Sequence, residues 1–324
     1  MIVCGVLLLV SLGGYAYLSG LLDRVDRTPV TGNPSLQDED LVHPDDQVDE
    51  TDSADGIEGA AADYQAASLI AIPQDTAVRN ILLIGTDMRE GEKTGRSDAM
   101  IILSINARSK TIHLTSLMRA MYVAIPGKDW SMLNHAFAWG GSDLLLQTIE
   151  NNLRIKIDDY LVINFAGFTE AIDQVGGVEI ELTAKEATYL NSDLGTTRWQ
   201  AGLRRLDGAA ALAYARIRKL DSDFVRTSRQ RAVLESLLQQ SRTLSPAQMN
   251  NLAESLLPLV RTNLTRNELL ALVVDGLQAR HYPVSQLMLP EAEYRERIYV
   301  RKMEMYRFDY QKTISRLHAF IYGD

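Results

Sequence analysis

The chain has 324 residues, 46% of them hydrophobic and 7% aromatic, with one cysteine and a formal net charge of −9. That length and apolar fraction exclude a wholly disordered chain and suit one large or two small domains with a genuine core. A single cysteine excludes an internal disulfide and a Cys-based zinc site, and excess acid by itself argues against a polyanionic partner. The charge is unevenly placed, however. Residues 23–75 hold 14 acidic and 2 basic side chains, a sum of −12, whereas residues 76–324 hold 31 basic and 28 acidic ones, a sum of +3.

Residues 1–22 carry no charged side chain. At about 1.5 Å per residue, a helix of that length covers the ~30 Å hydrocarbon core of a bilayer, so a transmembrane anchor is expected over residues 1–22. A cleaved signal peptide fits less well, because a positive n-region and a small-x-small cleavage site are both missing, and Cys4 is expected to pack within the span. Arg24 and Arg27 follow the span and no basic residue precedes it. The positive-inside count therefore gives no support to a C-terminal domain on the outside. Residues 23–75 have few large apolar side chains and many like charges, which predicts an acidic disordered tether with a root-mean-square span of roughly 40 Å.

The folded domain is expected over residues 76–324. Short apolar runs predict strands at 80–86, 100–105, 112–116, 160–165 and 178–182. Helical spacing predicts helices at 142–153, at 165–175 before Gly176 and Gly177, at 208–214 and at 226–241. Another helix is opened by Ser245 with Pro246 in its first turn, another by the Thr265/Glu268 capping box, and a terminal one runs over 309–320. A hairpin turn at 106–110 makes the sheet mixed. Strands interleaved with helices and no internal repeat point to one α/β domain with helices covering a sheet. A Walker loop, GxGxxG and GxSxG are all absent from the sequence, which removes support for nucleotide binding by those routes and for serine hydrolase chemistry. The five histidines lack clustered spacing, so a zinc site is not expected, and His135 is read as a structural residue.

Two charged clusters stand out. Asp87 falls at the carboxyl end of the first strand, the edge at which open α/β sheets bind ligands. Arg96 and Asp98 lead into the next strand, and Arg119 lies just past the end of the third. Farther on, Arg216 and Arg218 share a face if their segment is extended. Arg226 and Gln230 share a face at the start of a helix, whose free N–H groups also favour an anion. Taken singly, each is better explained by ordinary ion pairing or a solvated face than by function. Together, carboxylates suited to Mg²⁺ and guanidiniums suited to phosphate oxygens suggest a metal-assisted phosphate or pyrophosphate site.

At these residues the sequence resembles the LytR-CpsA-Psr family, bacterial membrane-anchored enzymes that move glycopolymers onto the cell wall. The matching strings are NILLIGTDMR at 80–89, GRSD at 95–98, SLMR at 116–119, NHAFAWGG at 134–141 and GGV at 176–178. The strongest are LDGAAALAYARIRK at 206–219 and DFVRTSRQ at 223–230. Each string is weak alone, but the ordered set is specific and spans about residues 80–240. The resemblance implies a three-layer α/β/α sandwich with a central mixed sheet and an apolar polyprenyl pocket, and it makes residues 76–324 the catalytic domain. It implies Mg²⁺, or Mn²⁺, on Asp87 and Asp98, and pyrophosphate on Arg96, Arg119, Arg216, Arg218, Arg226 and Gln230. The implied reaction is transfer of a polyprenyl-linked glycan phosphate to a peptidoglycan hydroxyl with release of polyprenyl phosphate, on the extracytoplasmic side of a single-pass anchor in the cytoplasmic membrane. Phosphoryl transfer needs positioning and charge stabilisation, which guanidiniums such as Arg119 supply, and a proton acceptor, for which Asp223 is the first candidate and Asp98 the second.

Two positions depart from the family pattern: Ala120 stands where Asp is common, and Met132 where Lys is common. They motivate a rival reading as a polyprenyl-phosphate-binding protein without turnover, and hydrolysis of a polyprenyl diphosphate is a third. No recognition-helix motif suggests a nucleic-acid partner.

Overall fold

A computed structural model describes residues 20–41, 47–48, 50–88, 95–217 and 223–323. The anchor expected over residues 1–22 lies outside the described residues except for Gly20, Leu21 and Leu22. Among the described residues, no helix is long and apolar enough to cross a membrane.

Twelve strands are present among the described residues: β1 Val78–Thr86, β2 Ser97–Asn106, β3 Thr111–Leu117, β4 Tyr122–Val123, β5 Ser131–Met132, β6 Asp159–Asn164, β7 Val178–Leu182, β8 Gly202–Leu206, β9 Val260–Thr262, β10 Val284–Leu289, β11 Arg295–Val300 and β12 Met303–Phe308. Six of them form the main sheet in the order β10-β3-β2-β1-β6-β9. β1 runs parallel to β6 and β3 parallel to β10, while β1–β2, β2–β3 and β6–β9 are antiparallel, so the sheet is mixed as expected.

The longer helices are α1 Ala54–Ala67, α2 Leu133–Leu153, α3 Phe165–Gln174, α4 Ala184–Asp193, α5 Gly208–Ala215, α6 Asp223–Ser241, α7 Pro246–Leu256, α8 Arg266–Ala279 and α9 Tyr310–Tyr322. Side chains alternate across the strands and so fill two layers. Leu82, Ile84, Met100 and Ile102 pack with Leu145 and Ile149 of α2 and with Ile314 and Leu317 of α9. On the other face, Leu83, Ile101, Leu103 and Ile105 meet Leu234 and Leu238 of α6 and Ala279 of α8. A separate core joins the β7–β8 hairpin to α4 and α5 through Val178, Ile180, Leu190, Leu206 and Ala211. Ser245 and Thr265 close full capping boxes with Gln248 and Glu268.

The helix expected at 142–153 is the second of two helical stretches that make up α2 and meet at Gly141. Gly141 kinks α2 at φ 67° and ψ −153°, and a Cβ there would sit 1.7 Å from the Val30 carbonyl oxygen, so only glycine fits. One expectation is corrected, that residues 23–75 form a disordered tether. Much of this stretch is packed on the domain. Asp26 bridges Arg261 of β9 in parallel register, and Val30 is 4% exposed. Asn33 N–H donates to Ala138 O at 2.8 Å, and the Trp139 indole donates to Leu36 O at 2.9 Å. Tyr64 of α1 lies edge-on to Trp130 and Tyr310, each at 5.6 Å between ring centres. The physical reason is local charge pairing. Asp26 meets Arg261, Asp38 meets Arg301 and Asp75 meets Arg108, so three of the carboxylates that would repel one another in a free coil are each matched by an arginine of the domain.

Candidate functional site

β1 and β6 lie side by side and parallel, and both end at a cleft of about 1150 Å³. Thr86, Asp87 and Met88 enter it from β1, and Asn164 enters from the end of β6. Phe165 and Ala166 begin α3, whose N-terminus is held by the Asn164 side chain accepting from Gly167 N–H at 2.9 Å. Arg216 enters from the end of α5, and Leu259 and Arg261 from β9 and the turn before it. The N-terminal strap closes the remaining side with Asp26, Val30, Leu36, Asp40 and Leu41. The cleft is therefore lined by both charged and apolar side chains.

Beside the strand ends, Asp87 Oδ1 accepts from the Arg96 backbone N–H at 2.8 Å, and its Oδ2 faces the Arg96 guanidinium at 3.4 Å. Both side chains are about a quarter exposed, so neither is used up by the other. Arg216 caps α5, is exposed, and stands over the Phe165 ring at 4.6 Å. That cation–π contact fixes the guanidinium plane without occupying its N–H donors. Asp98 lies one strand away. A register shift between Gly85 and Thr86 brings Ser97 opposite Thr86, so Asp87 and Asp98 flank the same pair of strand ends. Gln230 of α6 donates to the Asp98 carbonyl at 3.3 Å, tying the arginine-bearing helix to this edge.

Asp87, Arg96 and Arg216 thus share the cleft, with Asp98 and Gln230 adjoining. Arg119 and Arg226 are buried, 8% and 3% exposed, and neither is among the lining residues. Of the four expected arginines that are described, Arg96 and Arg216 line the cleft and Arg119 and Arg226 do not. Arg216 is not on an extended segment either: its φ of −100° and ψ of 0° continue the end of a helix. Arg218 lies outside the described residues, and Asp223 is placed as the first residue of α6. Arg229, three residues past Arg226, is 3% exposed and paired with Glu186 at 2.7 Å. Burial alone would raise the Glu186 carboxyl, but the Thr183 amide and Arg229 hold it below its ordinary value.

Among the described residues, no group of three or more His, Cys, Asp or Glu could hold a metal ion. Asp87 and Asp98 are hard oxygen donors, and two carboxylates suit Mg²⁺, which completes its octahedron with water and substrate phosphate oxygens. The donor set fits that ion.

The sequence reading missed Phe165, the residue that orients Arg216. It also missed the contribution of Val30, Leu36 and Leu41 to the apolar lining. An aromatic residue directly after a strand end, opposite an arginine-rich motif, was the available signal for Phe165. The two departures from the family pattern also acquire a structural setting. Ala120 is 5% and Met132 3% exposed, both inside the main core, and the Ala120 carbonyl accepts from Tyr306 N–H at 2.8 Å. His135 supports local structure as expected: its Nδ1 lies 2.9 Å from Ser131 Oγ and 3.2 Å from Asp38 Oδ1.

Comparison with known proteins agrees with this architecture. The description "LytR_cpsA_psr family" fits residues 45–317. "Polyisoprenyl-teichoic acid--peptidoglycan teichoic acid transferase TagT" of Bacillus subtilis (strain 168) is 38% identical over 172 residues, 51% of this chain and 53% of the relative. The TagU transferase of the same description from Oceanobacillus iheyensis is 35% identical over 211 residues, 62% of this chain and 64% of the relative. The chain spans about half to just under two thirds of these relatives' length. The solved structure described as "TagT bound to LIIa-WTA" superimposes with a TM-score of 0.63 at 26% identity, covering 77% of this chain and 93% of its own.

Proposed function

Because the chain belongs to the LytR_cpsA_psr family, we propose that it transfers a polyprenyl-pyrophosphate-linked glycopolymer onto peptidoglycan, releasing polyprenyl phosphate. The observation that carries this reading is one cleft with two kinds of lining: Asp87, Arg96 and Arg216 beside the strand ends, and the apolar side chains of Val30, Leu36, Leu41, Val162 and Leu259, with Asp26, Asp40 and Arg261 among them. That combination suits a ligand whose head is a diphosphate and whose tail is a hydrocarbon chain. The relatives named as teichoic acid–peptidoglycan transferases support it.

In this reading Arg96 and Arg216 grip the diphosphate oxygens through paired N–H donors and stabilise the charge that grows as the bridging P–O bond loosens. Asp87 and Asp98 would hold Mg²⁺, which when bound neutralises phosphate charge. The acceptor hydroxyl oxygen forms a bond to the glycan-side phosphorus, and the bond from that phosphorus to the polyprenyl phosphate oxygen breaks. Asp223 takes the hydroxyl proton, or Asp98 does if it is free of the metal. The electron pair of the broken bond leaves on polyprenyl phosphate, and a phosphodiester remains on the wall sugar. Residues 1–22 anchor the protein in the cytoplasmic membrane, and the domain works on its outer side.

The test is transfer by the purified full chain in detergent, with lipid-linked glycan, peptidoglycan acceptor and Mg²⁺. Asp98→Ala should lower turnover at least about tenfold, as should Arg218→Ala, and chelation of Mg²⁺ should stop it. Unchanged turnover in both variants overturns the assignment. Analysis of a single turnover distinguishes transfer from hydrolysis by whether the glycan phosphate ends on the wall or in solution.

A further inference from the structure

The helix α8 presents an apolar face that the rest of the domain does not cover. Val273, Val274 and Leu277 are 45%, 50% and 55% exposed. At 3.6 residues per turn they lie with Leu269 and Leu270 on one arc of about 140° that includes no acidic residue. The acids of this helix, Glu268 and Asp275, lie toward the opposite side, where Asp275 pairs with Arg79 at 3.0 Å. Three exposed branched aliphatic side chains in two turns form the kind of patch that marks an interaction surface.

The path of the N-terminal chain identifies the occupant. Leu22 and Val25 are buried against Leu264 and Leu269, at the start of α8. The Arg27 guanidinium donates to the carbonyls of Leu264 at 3.1 Å and Leu22 at 2.9 Å, and Asp23 accepts from Arg266 Nε at 2.9 Å. The last residues of the uncharged segment 1–22 are therefore fixed to the first turn of this helix, at one end of its apolar arc. A 22-residue apolar helix reaches about 33 Å, the depth of a bilayer core, whereas α8 with its 14 residues is only about 21 Å long. The uncharged residues that precede Leu21, laid back along α8 as a helix, would extend past its end, while entry into the bilayer would bury them and bring α8 to the lipid surface.

We propose that the Val273–Val274–Leu277 face of α8 docks on the lipid surface at the level of the headgroup and upper acyl chains, as an interfacial helix beside the anchor. The inference rests on residues 1–22 being a membrane anchor. The docked helix follows β9 closely, and Arg261 of that strand and Leu259 just before it line the cleft, so docking also holds the cleft wall against the surface that would carry a polyprenyl donor.

The test uses the full chain with Cys4→Ser and one new cysteine, Val274→Cys, Leu277→Cys or, as a control, Leu203→Cys on the β7–β8 hairpin, where Leu203 is 58% exposed. Each carries a fluorescent label and is reconstituted into phosphatidylglycerol–phosphatidylcholine vesicles containing lipids brominated high in the acyl chain. Emission at 274 and 277 should fall by about half, as expected for shallow burial, with Leu203→Cys unaffected. Protein that floats with the vesicles but is unquenched at 274 and 277 overturns the docking and leaves the anchor standing. Protein that does not float overturns both. Labels shielded from brominated lipid and from aqueous iodide alike mean that residues 1–19 or a second copy cover the face, which also overturns the proposal.

Discussion

Two clusters built around an aspartate and an arginine have opposite characters. Around Asp38, the Ser131 hydroxyl donates to the carboxylate at 2.8 Å, His135 lies 3.2 Å from it, and Arg301 is paired with it. The carboxylate is 11% exposed and the imidazole 2%. At the cleft, Asp87 and Arg96 meet at 3.4 Å, each about a quarter exposed, and Arg216 faces the cavity from above Phe165. Composition does not separate the two clusters. Exposure does: in the first the carboxylate and imidazole are buried and paired within the chain and hold structure, whereas in the second Asp87 and Arg96 are each about a quarter exposed and, with Arg216, line the cleft, where a ligand can reach them.

The sharpest way to break this contrast is Arg216→Ala. It should lower transfer about 100-fold, the scale for removing one preorganised donor to developing charge, while thermal unfolding stays close to that of the parent chain. A variant that unfolds early but turns over normally would place Arg216 in the structural class.

Ala120→Asp and Met132→Lys test the buried side of the comparison. Both insert a charge into the main core, so each should destabilise by about 2–3 kcal/mol in urea titration. Neither should restore a function by refitting the family pattern, and a stable double variant with higher turnover would sink that expectation.

Asp38→Asn should cost about 1–2 kcal/mol by leaving Arg301 and His135 short of a charged acceptor, with turnover per folded molecule within about twofold. The pH dependence has a definite sign. Burial holds the His135 imidazole below its ordinary 6.5. Burial alone would raise the Asp38 carboxyl, but hydrogen bonds from His135 and Ser131 and the Arg301 charge hold it below 3.8. In both cases the unfolded chain binds the proton more readily, so stability is lost as pH falls below 6.5 and again below 3.8. Denaturation midpoints across that range should show the loss, and Asp38→Asn should flatten its lower part.

The smallest effect is expected for Phe165→Leu. It leaves Arg216 in place but removes the ring that orients it, which should lower transfer about threefold, the scale of one cation–π contact.

The strands at the site were legible because buried runs such as residues 80–86 and 112–116 carry their own pattern, and capping at Ser245 and Thr265 is a local, covalently neighbouring event. The mixed sheet followed from one hairpin turn at 106–110. Asp87 and Arg96 were legible for the same reason, since one strand end and the next strand start must be neighbours in a β1–β2 pair. Arg119 and Arg226 were placed less well, because whether a guanidinium faces a cleft or the interior depends on helix packing that sequence spacing does not encode. The strap was misread for a related reason. A segment charge of −12 describes repulsion only if those carboxylates see each other, and Asp26, Asp38 and Asp75 instead see Arg261, Arg301 and Arg108.

The pairing of Asp26 with Arg261 has a further consequence. Under the proposed anchoring, a free coil from residue 23 onward would let the cleft roam tens of ångströms above the lipid. Stapled to β9 only four residues after Leu22, the chain would act as a ruler instead. In the proposed function that sets a single elevation for the cleft, at which a lipid-linked donor would enter from below and the acceptor would have to come down to the same level.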